Sequence, residues 1–296
     1  MMTRTLTLFC LAAGLFVPLP LARGAAPAKA SGKPGGLYTD IVYGKAEGES
    51  LLLDGHVPKG DGPFPVAILV HGGGWGSGDK QTDIIGPIAA PLTKANFTWF
   101  SINYRLAPKY RWPACFDDVQ AAIRWVKKHA AEYKGDPGRM VLIGYSAGGH
   151  LVCQAAVLAN PETRVQAVVG FAAPTDLVRD SERRGGLSKA LQALFDRQTL
   201  DDETYTLLRE VSPISHVHRG LPPFLLLHGT EDRSVRYEQS VNFQKRLRER
   251  GVPCELITIP GAPHAIREWE KFDPKFQGKM VAWLERTLAP AGSPSR

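Results

Sequence analysis

The stretch that most limits what this chain can become is residues 140–152, Met-Val-Leu-Ile-Gly-Tyr-Ser-Ala-Gly-Gly-His-Leu-Val. Met140 to Ile143 form an apolar run that reads as a buried strand, and Leu151, Val152, Ala155 and Ala156 behind it recur at helical spacing. Strand and helix are joined only by Gly144-Tyr145-Ser146-Ala147-Gly148, a G-x-S-x-G match. Ser146 must stand at the apex of a tight, strained turn for its hydroxyl to clear the sheet. Side chains two positions before and two after it would collide there, hence Gly144 and Gly148. The same turn sets Ser146 at the start of a helix, whose free N–H groups favour negative charge.

The rest of the chain repeats that alternation of strand and helix. Apolar runs at 51–57, 66–70, 97–104, 165–172, 224–227 and 255–259 read as strands. Helices are expected over 84–95 (interrupted by Pro87 and Pro91), 114–132 and 237–250. A last helix carries Phe276, Met280, Trp283 and Leu284 and ends at Pro290. Such alternation predicts an α/β fold, a mostly parallel sheet covered by helices on both faces. Residues 175–216 are more polar, with helical pieces near 188–195 and 202–210. They read as a lid-like insertion over the sheet's C-terminal edge, where sites of open α/β folds lie. There is no internal repeat and no interdomain linker. With 44% hydrophobic and 22% charged residues, the chain has the makings of one large core rather than a disordered polymer.

The N-terminus reads as a targeting segment. Arg4 precedes an apolar stretch over 6–21, and Ala22-Arg23-Gly24 resembles a small-x-small cleavage site. The stretch is short, holds Pro18 and Pro20 and lacks a polybasic stop, so no stable membrane anchor is expected. Cys10 lies inside the apolar region, which does not indicate a lipoprotein. The expected organisation is a signal peptide over 1–24, a flexible leader over 25–36 and one catalytic domain over 37–290. The product would be exported to the periplasm or beyond. Cleavage would remove Arg4 and Arg23 and no acids, taking the formal charge from +7 to +5. That mild excess is scattered, and no nucleic-acid motif accompanies it. Cys115, Cys153 and Cys254 have no metal-ligand spacing and read as buried thiols.

A nucleophilic serine needs a base, a group that orients the base, and donors for an oxyanion. The chain supplies candidates at strand ends in the order Ser, Asp, His. Asp232, in His228-Gly229-Thr230-Glu231-Asp232, is the expected acid, with Glu231 and Asp176 as rivals. His264, in a Gly/Pro loop after the last strand, is the expected base. His71 reads as ordering the glycine loop, His150 as lying along the nucleophile helix, and His228 as a packed, hydrogen-bonded residue ending a strand. Backbone N–H groups can converge on one point only where side chains do not block them. The expected oxyanion donors are therefore Gly73, Gly74 and Ala147. No Walker lysine follows the glycines, which argues against a phosphate loop. Trp75, beside them, is expected either in an acyl pocket or in the core, and Tyr145 is expected at the substrate.

Taken together, His71-Gly72-Gly73-Gly74-Trp75, Gly78-Asp79-Lys80, Asn103-Tyr104-Arg105-Leu106-Ala107-Pro108, Gly144 to Gly149 and His228 to Asp232 resemble the α/β-hydrolase superfamily. Within it the chain is most similar to the esterase/lipase group related to hormone-sensitive lipase, and closest to its secreted acetyl-xylan and feruloyl esterases. That resemblance spans nearly all of residues 37–288. It implies a central sheet of about eight strands. It also implies a serine carboxylesterase without cofactor or metal, acting on short-chain or hydroxycinnamoyl esters, such as those on plant polysaccharides. It further suggests that Asp117 or Asp118 ties down the 104–108 segment, although helix capping explains either equally well. Hormone-sensitive-lipase relatives usually carry Asp before the serine, where this chain has Tyr145. The other readings are a general short-chain esterase or lipase, a prolyl-oligopeptidase-type peptidase, and a non-catalytic binding protein. The length leaves no room for the propeller domain of the peptidases, and an apparently complete triad argues against the binding protein.

Overall fold

The computed structural model describes residues 32–290; the expected signal peptide and most of the leader lie outside them, as does the tail after Pro290. An antiparallel hairpin of β1 (Gly36–Ala46) and β2 (Glu49–Val57) opens the chain. Then come β3 (Phe64–Val70), α1 (Gly86–Lys94), β4 (Thr98–Ile102), α2 (Ala114–His129), β5 (Gly135–Tyr145), α3 (Ala147–Val157) and β6 (Ala167–Phe171). After β6 the insertion holds α4 (Leu177–Arg184), α5 (Lys189–Phe195) and α6 (Asp202–Glu210). The chain closes with β7 (Phe224–Gly229), α7 (Glu238–Glu249), β8 (Cys254–Ile259) and α8 (Phe276–Thr287). The eight strands form one sheet in the order β1-β2-β4-β3-β5-β6-β7-β8. It is parallel from β4 to β8, and β2 runs antiparallel to β4.

This order follows from burial. The central strands β3, β5 and β6 end in near-continuous apolar runs because helices cover both of their faces. One core cluster packs α2, α3 and α7 against the sheet through Val119, Ile123, Leu151, Phe243 and Leu247. The other packs α1 and α8 through Ile88, Leu92, Met280, Trp283 and Leu284. Parallel register brings the ends of β3, β5 and β6 to one edge, where Val70 pairs with Gly144 and Tyr145 with Phe171. The segments carrying the candidate residues leave the sheet at that edge.

Two local features depart from the sequence reading. The strand containing Met140 starts earlier, at Gly135, because Phe64 finds its register partner there. The end of the expected flexible leader is docked: the Lys33 amide donates to Glu132 O at 2.8 Å. The Lys33 ammonium donates to the Tyr133 hydroxyl at 2.7 Å and lies 4.1 Å from the centre of that ring.

Candidate active site

Ser146 sits between β5 and α3 with φ 54° and ψ −118°, a left-handed conformation that an L residue adopts only when its surroundings impose it. Its amide donates to Phe171 O at 2.9 Å, and its carbonyl accepts from His150 at 2.9 Å, which starts the helix. The flanking glycines are forced by close approach. A Cβ on Gly144 would lie 2.2 Å from Gly148 O, and one on Gly148 would lie 2.1 Å from Val70 O.

His264 and Asp232 reach Ser146 from the loops after β8 and β7. The loops that carry them are tied together by Glu231 N–H to Ala262 O at 3.0 Å and Gly261 N–H to the Thr230 hydroxyl at 2.9 Å. Ser146 Oγ lies 3.0 Å from His264 Nε2, and His264 Nδ1 lies 2.6 Å from Asp232 Oδ2. The carboxylate can only accept, so Nδ1 carries the proton and Nε2 is free to accept from the serine hydroxyl. Asp232 is buried, and its other oxygen accepts the Ser234 and Val235 amides at 2.9 and 2.8 Å. Burial pushes its carboxyl upward. The hydrogen bonds from His228 and His264, the His264 charge and the Val235 amide outweigh that and hold it well below the usual carboxylate range. The rival acids are placed elsewhere: Asp176 caps α4 by accepting the Arg179 amide, and Glu231 is exposed.

Opposite the base, the chain after β3 turns sharply through Gly73 at φ 115° and Gly74 at φ 58°. A side chain on Gly73 would strike Ser77 O at 2.1 Å. The Gly73 carbonyl is taken up by the Gly76 and Ser77 amides, while the amides of Gly73 and Gly74 have no acceptor among the described residues. Ala147 is the first residue of α3, so its amide has no intrahelical acceptor either. Unused amides beside a serine, a base and a buried carboxylate make the layout of an acyl-transfer site.

Residues 53–247 match the BD-FAE family over more than half of the chain. The chain belongs to that family. Among curated proteins, esterase LipQ of Mycobacterium tuberculosis is 33% identical over 241 residues, covering 77% of this chain and 57% of its own length. Carboxylesterase NlhH of the same species is 30% identical, covering 76% of this chain and 74% of its own length. The chain thus spans little more than half the length of LipQ and about three quarters of NlhH. Among solved structures, a truncated carbohydrate esterase from gut microbiota superposes with TM-score 0.75 at 26% identity, covering 90% of this chain and all of that one. Propionate-bound esterase Est2 of Thermogutta terrifontis superposes with TM-score 0.70 at 27% identity, covering 90% and 99%. The site of this BD-FAE chain lies at the edge where β3, β5 and β6 end, with the 175–216 insertion after β6.

Around this BD-FAE site several side chains hold the reacting groups in place. The Tyr145 ring is buried, and its hydroxyl donates to the backbone carbonyl of His264 at 2.7 Å. Its polar end is thus directed at the base-bearing loop rather than at a substrate. Burial and the Asp232 charge push its phenol upward, so it stays a donor. Tyr145→Phe should lower kcat roughly 3- to 20-fold with KM little changed, the scale of one neutral hydrogen bond; steady-state kinetics on p-nitrophenyl acetate reads this directly.

Trp75 is placed with the core, 5% exposed, and its indole N–H donates to His150 Nδ1 at 3.2 Å. The other nitrogen of His150 donates to Val211 O at 2.7 Å, so this neutral imidazole links the oxyanion loop, the nucleophile helix and the insertion. The insertion is tied down again where Gln154 donates to Glu210 O at 2.8 Å and the Trp112 amide to Leu194 O at 3.0 Å. Of the aspartate pair, Asp118 holds the 104–108 segment, accepting the Arg105 amide at 2.8 Å and pairing with its guanidinium, while Asp117 faces solvent. Sequence reasoning missed the role of Tyr145 and the proximity of His228 to Asp232. The only signal for the latter was a histidine four residues before the candidate acid. Cys115, Cys153 and Cys254 are buried and form no disulfide among the described residues.

His71 and His150 also set an acid limit for the fold. Burial pushes both down to about 4, against the weaker opposing effect of the Gly72 carbonyl on His71 and the Val211 carbonyl on His150. Both are neutral when folded, whereas the unfolded chain takes up their protons from about pH 6.5. Stability is therefore full above that pH and falls as the pH drops toward 4, by about 2 kcal/mol per histidine at pH 5. Melting temperature should hold between pH 7.5 and about 6.5 and fall steadily from there to pH 4.5, and a flat Tm over that lower range would contradict this assignment.

Proposed function

We propose that the protein is a serine carboxylesterase acting on small acyl groups esterified to hydrated alcohols such as sugars. The observation that carries this reading is the unbroken relay from Ser146 Oγ through His264 to Asp232, at 3.0 and 2.6 Å, together with Gly73 and Gly74 amides that have no acceptor among the described residues. In the first half-reaction His264 Nε2 takes the Ser146 proton as Oγ attacks the ester carbonyl. The carbonyl oxygen gains negative charge, which the Gly73, Gly74 and Ala147 amides receive without rearrangement. Asp232 stabilises the His264 cation, which then gives its proton to the departing alkoxide, leaving an acyl-Ser146 ester. Water, activated by His264, attacks that ester and releases the acid and free serine.

Three features support a small acyl group. A Cβ built on Gly74 would lie 3.4 Å from Ala190 Cβ, so α5 closes in beside the oxyanion loop. The space behind that loop is filled by Trp75, His150, Trp112 and Phe195 packed ring to ring. The start of the insertion is polar: Asp180 pairs with Arg183 and Arg184 at 2.7 Å, and no apolar stripe faces outward. A lipase mouth would instead offer apolar area, worth roughly 0.8 kcal/mol per buried methylene. The named carbohydrate esterase and the propionate-bound esterase among the structural neighbours agree with this reading. In a p-nitrophenyl ester series kcat/KM should peak at acetyl to butyryl and fall steeply beyond about eight carbons. Feruloyl and acetylated xylan fragments are the polymer substrates to assay beside them. A preference for long acyl chains or triolein emulsions would contradict the small-acyl reading. Release from no polysaccharide would contradict only the plant-polymer part. The apolar segment over 6–21 supports export, which cell fractionation checks.

A further inference from the structure

His228, the penultimate residue of β7, is fully buried four residues before Asp232 and hydrogen-bonds neither Ser146 nor His264. Its Nε2 lies 2.9 Å from Val235 O and 3.2 Å from Asp232 Oδ2. Both are acceptors only, so Nε2 carries the proton; it bonds Val235 O, with the Asp232 carboxylate close beside it. Its Nδ1 lies 2.7 Å from the Ser240 hydroxyl on α7, which then donates to it. The ring is further fixed edge-on against Tyr237, 5.8 Å between centres, whose own hydroxyl pairs with Thr258 at 2.6 Å.

The geometry at Asp232 gives this arrangement a consequence. Asp232 Oδ1 is anchored by two backbone amides, Ser234 and Val235. Oδ2, the oxygen that faces the base, accepts from His264 at 2.6 Å and stands 3.2 Å from His228 Nε2, whose N–H is directed at Val235 O. With Oδ1 anchored alone, the carboxylate could swing about that point and carry Oδ2 off the His264 axis. The His228 N–H restrains it on both sides: Nε2 lies 3.2 Å from Oδ2, and the N–H holds Val235, whose amide anchors Oδ1, through the Val235 carbonyl.

We propose that His228, oriented by Ser240, is a positioning residue for ester hydrolysis that holds Asp232 Oδ2 in line with His264 Nδ1. It deepens the serine-esterase reading and rests on it. His228 moves no proton in the reaction; it acts through Asp232. Its N–H also shares the carboxylate's charge, in keeping with the low-lying Asp232 carboxyl.

The test is a double-mutant cycle on the full chain with p-nitrophenyl acetate. His228→Leu removes the donor at similar volume and should lower kcat roughly 10- to 100-fold with KM within about twofold, the scale of a hydrogen bond to a charged group. His228→Gln places an amide N–H near the former Nε2 and should recover activity to within about fivefold of wild type. Ser240→Ala removes only the orienting hydroxyl and should cost roughly three- to tenfold. In an Asp232→Asn background, His228→Leu should cost little more, because the carboxylate it positions is already gone. The low-field proton resonance of the His264–Asp232 hydrogen bond should broaden or vanish in His228→Leu and return in His228→Gln. Equal losses in both backgrounds, or equal losses for Leu and Gln, would overturn the proposal in favour of simple core packing. Full kcat in both His228→Leu and Ser240→Ala would overturn it outright, and that outcome is separable from failure of the esterase reading, which a fully active Ser146→Ala would reveal instead. Thermal melts identify a variant that fails to fold, and Ser240→Ala, the least disruptive change, then decides.

Discussion

Ser146→Ala is expected to lower kcat/KM for p-nitrophenyl acetate by at least about a thousandfold, with the melting temperature nearly unchanged. The loss is large because nucleophile, base and acid act as a unit: without Oγ, His264 has no proton to take and Asp232 no cation to stabilise. The residual rate would come from the oxyanion amides and substrate binding. Stability should hold because the turn is fixed by its backbone. The Ser146 amide bonds to Phe171 O, and Gly144 and Gly148 fit against the carbonyls of Gly148 and Val70. Alanine is somewhat strained at φ 54°, but serine bears the same strain. Retention of a tenth of wild-type kcat by a folded variant would remove Ser146 from the mechanism.

The second large effect concerns the acid. Asp232→Asn should lower kcat by roughly a thousand- to ten-thousandfold, because an amide N–H facing His264 Nδ1 favours the wrong tautomer and offers no charge to the imidazolium. Asp176→Asn should be nearly neutral, since Asp176 caps α4 and asparagine caps as well as aspartate. Glu231→Gln should also be near neutral, because that side chain is exposed and makes no hydrogen bond or ion pair among the described residues. The pH dependence follows from the depressed Asp232 carboxyl. Its charge is present from below the ordinary carboxylate range upward and is lost only in strong acid. Loss of activity on mild acidification therefore does not come from Asp232. If Asp176→Asn is the most damaging of the three, the acid lies on β6 instead of β7.

Most of the fold could be read in the chain because its strong signals are local. The apolar runs of β3, β5, β6 and β7, the amphipathic period of α2 and the glycines around Ser146 each follow from a few adjacent residues. The hairpin of β1 and β2 was harder to read. β1 is an edge strand with most of its residues at least partly exposed, so no clean alternation marks it. Ser146, Asp232 and His264 were legible as a set because chain order and strand ends suffice to single them out. The supporting residues were not, because their roles depend on how two loops fold back on each other. Tyr145 reaches a carbonyl 119 residues away, and Trp75 meets His150 75 residues away. A residue beside an active serine reads as substrate-facing in one dimension, whereas in three the tight turn directs Tyr145 at the base loop.

The central claim, an acyl-enzyme on Ser146, is tested most directly by rapid-quench mass spectrometry of the protein mixed with excess p-nitrophenyl acetate. The expected result is a burst of one p-nitrophenol per protein, together with one acetyl group on the peptide that spans Gly144 to Gly149. The adduct should be absent from Ser146→Ala. Steady turnover with no adduct on that peptide, or an acetyl group on another residue in step with the burst, would contradict it.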